Sequence, residues 1–159
     1  MTTTERHTMT TTVAYADVAG LAGTDLGSTD WLEITQDRVD RFADATDDHQ
    51  WIHVDPERAK DTPFGGTIAH GYYTLSLAPR FSEQIFQLEG FAFGLNYGLN
   101  KVRFPAPVLV DSKVRMRAKL AELEEIPGGA QMIMELTFER DGGEKPVCVA
   151  QTVVRVYEG

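Results

Sequence analysis

The run Ile68-Ala69-His70-Gly71-Tyr72-Tyr73-Thr74-Leu75-Ser76-Leu77-Ala78-Pro79-Arg80-Phe81-Ser82-Glu83-Gln84-Ile85-Phe86 decides how this chain folds. Nearly every face of a helix drawn through it carries apolar or small side chains. Such a helix is enclosed by the fold and does not lie on its surface. The sequence therefore predicts a long helix from Ile68 to about Phe86 with a sheet wrapped around it. Pro79 lies inside the run, and its missing N–H and its ring predict a kink or a division there.

Upstream, the pattern is helical. Thr35 is placed to cap a helix, because its hydroxyl can accept an orphan backbone N–H. Val39, Phe42, Ala43 and Thr46 recur on one helical face, with Asp40, Arg41 and Asp44 on the other. Asp47-Asp48 ends that pattern. Asp55-Pro56-Glu57 starts another helix, with an Asp cap and Pro at the first helical position. Residues 48–54 are thus predicted to be a short non-helical connector whose side chains can aim at a common point. Trp31 to Ile34 alternates like a short strand, and a short edge helix fits Ala14 to Leu26. Beyond Gly90 the pattern turns to strands over residues 92–104, 108–120, 131–139 and 147–157. Pro105-Ala106-Pro107, Pro127-Gly128-Gly129 and Asp141-Gly142-Gly143 separate them. Helices first and antiparallel strands afterwards define an α+β domain.

A chain of 159 residues can bury one sizeable core. We expect a polar, disordered leader over residues 1–12 and one domain over 13–159. A net charge of −9 argues against nucleic-acid binding, which needs Lys and Arg against phosphate. The single cysteine, Cys148, sits among Val147, Val149 and Ala150 and reads as a small buried hydrophobe. No apolar run approaches the ~20 residues of a membrane span. The threonine-rich start lacks an apolar signal core, so a cytoplasmic protein without membrane contact is expected.

Three of the four histidines fall between positions 49 and 70, close to Asp47 and Asp48. A carboxylate and an imidazole holding one water can remove its proton and deliver a proton elsewhere. Asp48 and His53 are the candidate pair. From spacing and composition alone a second reading is ahead: a connector tied down by Asp48 on backbone amides, with His53 as a core histidine. His49 reads as a connector histidine, and His70 as a helix-start residue bonded within the fold. No standard zinc spacing joins these groups, so no metal is expected. Lys101 and Arg103 flank Val102 in a strand pattern and share a face, which suits either bound phosphates or plain solvation.

The run from Phe42 to Ser76, followed by Lys101-Val102-Arg103-Phe104-Pro105-Ala106-Pro107-Val108, resembles the MaoC-like (R)-specific enoyl-CoA hydratases of the hot-dog fold. It is most similar to their nodulation-protein-like actinobacterial branch of 3-hydroxyacyl-thioester dehydratases. That family places an Asp five residues before a His. A His-Gly follows at the start of the long helix, with a Ser six positions beyond that His. Asp48, His53, His70-Gly71 and Ser76 meet each requirement.

The resemblance implies a single hot-dog domain, an antiparallel sheet around a long central helix, paired with a second copy as a homodimer. It implies that Asp48 and His53 hold the water that adds syn across the double bond of a trans-2-enoyl thioester. Substrate would arrive on coenzyme A or an acyl-carrier protein, with no separate cofactor. The Gly71 N–H would meet the thioester oxygen, with His70 beside it, Ser76 in support, and Lys101 and Arg103 near the phosphates of coenzyme A. A thioesterase on the same fold, or a non-catalytic thioester-binding subunit, is the alternative. The chain departs from the wider family at Asp47, where Gly is common, and at Gln50-Trp51, where Asn-Pro is common. Trp51 is therefore expected to reshape the acyl pocket.

Overall fold

The structure, a computed structural model, describes residues 10–159. The chain runs through β1 (Thr11–Ala14), a 3-10 helix (Tyr15–Leu21), β2 (Asp25–Ser28) and β3 (Leu32–Glu33). Then come α1 (Gln36–Thr46), α2 (Trp51–Val54), α3 (Pro56–Ala59), α4 (Gly71–Ser76) and α5 (Ala78–Ile85). The strands β4 (Phe86–Glu89), β5 (Phe93–Arg103), β6 (Lys113–Ile126), β7 (Gly129–Arg140) and β8 (Cys148–Tyr157) complete it. Of the expected leader, residues 1–9 lie outside the described residues. Thr11 and Thr12 instead open β1, which pairs in parallel with β4.

Two of the helix starts follow from their caps. The Arg38 N–H donates to the Thr35 hydroxyl at 3.3 Å, and the Arg58 N–H to the Asp55 carboxylate at 3.0 Å, just ahead of Pro56. At its other end α1 stops on Asp47, whose left-handed φ of 61° turns the chain out of the helix.

Four expectations need correcting. Trp51 to Val54, expected to be irregular, closes one helical turn. The central helix begins at Gly71 instead of Ile68, because the sheet side claims the preceding backbone: Ile68 bridges Leu109, and the Ala69 N–H donates to Val108. The helix also divides, as Pro79 predicts. α4 ends at Ser76, Leu77 turns, and Pro79 sits in the first turn of α5, where its missing N–H costs nothing. Phe86 leaves the helix and enters β4. Downstream, β6 starts at Lys113 and not at Val108, since Asp111 takes a φ of 69° that no strand accommodates.

The large sheet has the order β2-β6-β7-β8-β5, with β3 also on β6, and all its pairs are antiparallel. Strict alternation sets its inner face. Val114, Met116, Ala118 and Leu120 of β6 are buried, as are Met132, Met134, Leu136 and Phe138 of β7. Against that face lie Leu77, Phe81 and Ile85, while Arg80 and Glu83 face solvent. Phe81 and Phe138 are both fully buried, with ring centroids 6.1 Å apart. Cys148 is enclosed beside them, and burial pushes its thiol up to about 11. At the far edge β5 leaves one side unpaired, and its residues from Phe93 to Lys101 are all exposed, the apolar Phe93, Leu95, Tyr97 and Leu99 among them. Among the described residues no helix is long and apolar enough to cross a membrane.

Replacing Phe81 with Ala removes the anchor of α5 against β7. We expect a loss of about 3–5 kcal/mol in urea unfolding at an unchanged denaturant slope.

Candidate active site

The site forms where the α1–α3 connector meets the start of α4. After the turn at Asp47 the Asp48 carboxylate stays half-exposed and accepts the Gln50 N–H at 3.3 Å. The one-turn helix α2 carries His53 inward until its side chain is buried. Its Nδ1 lies 2.6 Å from the carbonyl of Ile68. A carbonyl only accepts, so Nδ1 carries the proton and Nε2 keeps a free lone pair.

His70 caps the end of the extended segment and is 3% exposed. Its Nε2–H donates to the Asp48 main-chain carbonyl at 2.9 Å and lies 3.9 Å from the Asp48 carboxylate. Its ring stacks on His53 at a centroid distance of 3.9 Å, and Phe42 covers it at 4.9 Å. One side-chain oxygen of Asp48 and one ring nitrogen from each histidine lie within 4.8 Å of one another. Two groups bonded to the same water at ordinary lengths stand about 4.5–5 Å apart, so this spacing admits a shared water.

Beside the pair opens an apolar cavity of about 330 Å³, lined by His53, Gly71, Thr74, Phe104, Val108 and Val147 among others. The Tyr73 and Thr74 N–H groups bond to the His70 carbonyl, whereas the Gly71 N–H takes no acceptor among the described residues. A side chain at position 71 would meet the Phe104 ring at 3.1 Å, which gives the glycine a steric reason.

Residues 17–139 match the profile described as MaoC like domain. The chain belongs to the MaoC-like family. It is 52% identical over 148 residues to the 3-hydroxyacyl-thioester dehydratase Z of Mycobacterium tuberculosis, covering 92% of this chain and 98% of that protein. It is 42% identical over 153 residues to nodulation protein N of Rhizobium leguminosarum bv. viciae, covering 89% of each. An R-hydratase of Pseudomonas aeruginosa superposes with a TM-score of 0.70 at 20% identity, over 87% of this chain and 83% of that one. The shared fold is the hot-dog fold, and this MaoC-like chain is an enzyme of the hydratase/dehydratase type.

Within this MaoC-like frame the other residues singled out by sequence occupy different places. Ser76 donates to the Tyr73 carbonyl at 2.6 Å and faces a cleft with Thr35, Arg38 and Phe42, away from the cavity that holds His53 and Gly71. Lys101 and Arg103 stand exposed on β5, and the Arg103 guanidinium donates to the Val102 carbonyl. His49 pairs with Asp44 at 2.8 Å on the surface, and that bond raises its pKa. Trp51 is covered by the Arg58 guanidinium at 4.1 Å and does not line the cavity beside His53. Gln36 and Thr67 carry no motif, yet both reach the His53 segment: the Gln36 amide donates to the His53 carbonyl, and the Thr67 hydroxyl to Gln36. By proximity Asp48, His53 and His70 are the one group able to hold a metal ion among the described residues. In the bonding seen here the His70 Nε2–H is given to the Asp48 main-chain carbonyl.

Burial is the main cause that lowers the His53 pKa below its usual 6.5, ahead of the opposing pull of the Ile68 carbonyl. An imidazole lowered in this way is neutral at neutral pH and takes up its second proton only in acid. We expect the rate to fall as pH drops through a midpoint below 6.5, read from the pH profile of kcat/KM. The fold is affected in the same direction. The unfolded chain binds this proton more readily, so the stability that neutral His53 contributes is fully present above 6.5 and declines as pH falls through its folded pKa.

Proposed function

We propose that the chain reversibly hydrates trans-2-enoyl thioesters to (R)-3-hydroxyacyl thioesters, with Asp48 and His53 acting on one shared water. The observation that carries this reading is the His53 tautomer. With Nδ1–H committed to Ile68, the free Nε2 lone pair belongs to a buried, neutral imidazole next to the cavity and beside the Asp48 carboxylate. Water bound to both gives its hydroxyl to C3 of the enoyl group as one of the pair takes its proton. Negative charge moves to the thioester oxygen, where the Gly71 N–H meets it. A proton returned from the pair to C2 on the same face completes syn addition, and the two groups titrate as a unit. Lys101 and Arg103 offer positive charge for phosphates of coenzyme A or of an acyl-carrier protein's prosthetic arm. The reaction needs no resident metal.

The same reading takes the enzyme as a homodimer. The free edge of β5 exposes backbone donors and acceptors together with Phe93, Leu95, Tyr97 and Leu99, an edge that a second copy can cover by antiparallel pairing.

Loss of the conjugated enoyl absorbance, followed together with free-thiol release, tests the reaction. We expect hydration without thiol release, an (R)-alcohol on chiral analysis, and a rate unchanged by chelator. Asp48→Asn and His53→Ala should each lose most of the rate. Near-normal activity in either variant, or an (S)-alcohol, would sink the assignment. In sedimentation the protein should behave as twice its 17.7 kDa chain, and Tyr97→Lys with Leu99→Lys should shift it towards the monomer.

A further inference from the structure

The mechanism needs the His53 ring held still, and α2 is a single turn with little stability of its own. Gln36, the first residue of α1, supplies a second hold. Its Nε2 donates one hydrogen to the His53 main-chain carbonyl at 2.7 Å and the other to the Asp40 carboxylate at 2.9 Å. Its Oε1 accepts the hydroxyl of buried Thr67 at 2.6 Å. Only one orientation of the amide satisfies all three partners. Turned over, Oε1 would face two acceptors that cannot donate to it. Thr67 immediately precedes Ile68, whose carbonyl binds the His53 ring. One amide thus ties together the main chain of His53 and the segment that holds its ring.

We infer that Gln36, locked by Thr67, is a positioning residue that fixes the His53 imidazole against the Ile68 carbonyl and so keeps Nε2 aimed at the reacting water. This rests on the reading of Asp48 and His53 as the acid–base pair. Gln36 touches neither member's side chain and acts through the backbone. Without it the His53 carbonyl loses its donor, α2 gains freedom, and the short Nδ1–H bond to Ile68 lengthens. Substrate binding, which lies in the cavity beyond the ring, is left as it was.

Kinetics and proton NMR on the full chain test this together. A short trans-2-enoyl-CoA is the probe. Gln36→Leu should lower kcat about ten- to a hundredfold with KM within about twofold. The far-downfield Nδ1–H resonance, assigned by its loss in His53→Ala, should move upfield or broaden. Thr67→Val should act in the same direction to a smaller extent, and Thr67→Ser should restore both readouts. Should Gln36→Leu fail to fold, Thr67→Val against Thr67→Ser carries the same test. The inference is overturned if kcat stays within twofold, if the loss falls on KM, or if kcat falls while the resonance is unchanged. Activity surviving in His53→Ala would overturn the acid–base reading instead. The resonance would still report whether Gln36 positions the ring.

Discussion

The site depends on one hydrogen bond, from the His53 Nδ1–H to the carbonyl of Ile68. The Ile68 N–H returns a bond to the Ile52 carbonyl, so the α2 turn and the segment leading into α4 hold each other reciprocally. Ile68 is itself bridged to Leu109, so the ring is fastened by way of the segments that border the sheet. That single contact selects the tautomer and draws the ring out of solvent. It also stacks His53 on His70, which in turn holds the Asp48 backbone. The one-turn helix exists because these partners exist; four residues alone cannot meet the cost of nucleating a helix.

What could be read in the sequence was whatever has a local cause. The caps at Thr35 and Asp55, the division at Pro79 and the turn at Gly128 each express the chemistry of one or two residues, and each stands where it was expected. The alternation of β7 was legible for the same reason, since side chains two apart share a face. The start of the central helix was not. Ile68 and Ala69 are as apolar as the helix that follows, and the partners that pull them out of it lie some forty residues downstream, at Leu109 and Val108.

The site was legible in unequal measure. Asp48, His53, His70 and Gly71 converge, although their spacing alone favours a plain connector and only the family pattern points to a site. Ser76 does not join them: five residues beyond Gly71, it is turned about 140° around the helix axis and faces the α1 side. Gln36 and Thr67 left no signal, because a contact across 31 residues between two ordinary polar side chains has no period and no motif. A lone Gln at a helix start looks like any other. Its meaning lies in three partners that only the folded chain supplies.

Cys148 takes no part in any of this, and that gives it a practical use. It is the only thiol in the chain, and it lies sealed under the sheet with its pKa pushed up to about 11. Burial keeps that thiol protonated at mildly alkaline pH and shields it from reagent. Native protein therefore contributes almost no background to a disulfide-exchange dye that counts coenzyme A thiols. An opened chain presents one equivalent. The same colour reaction that separates hydration from thioester cleavage thus also measures, without any added label, the fraction of enzyme that has come apart.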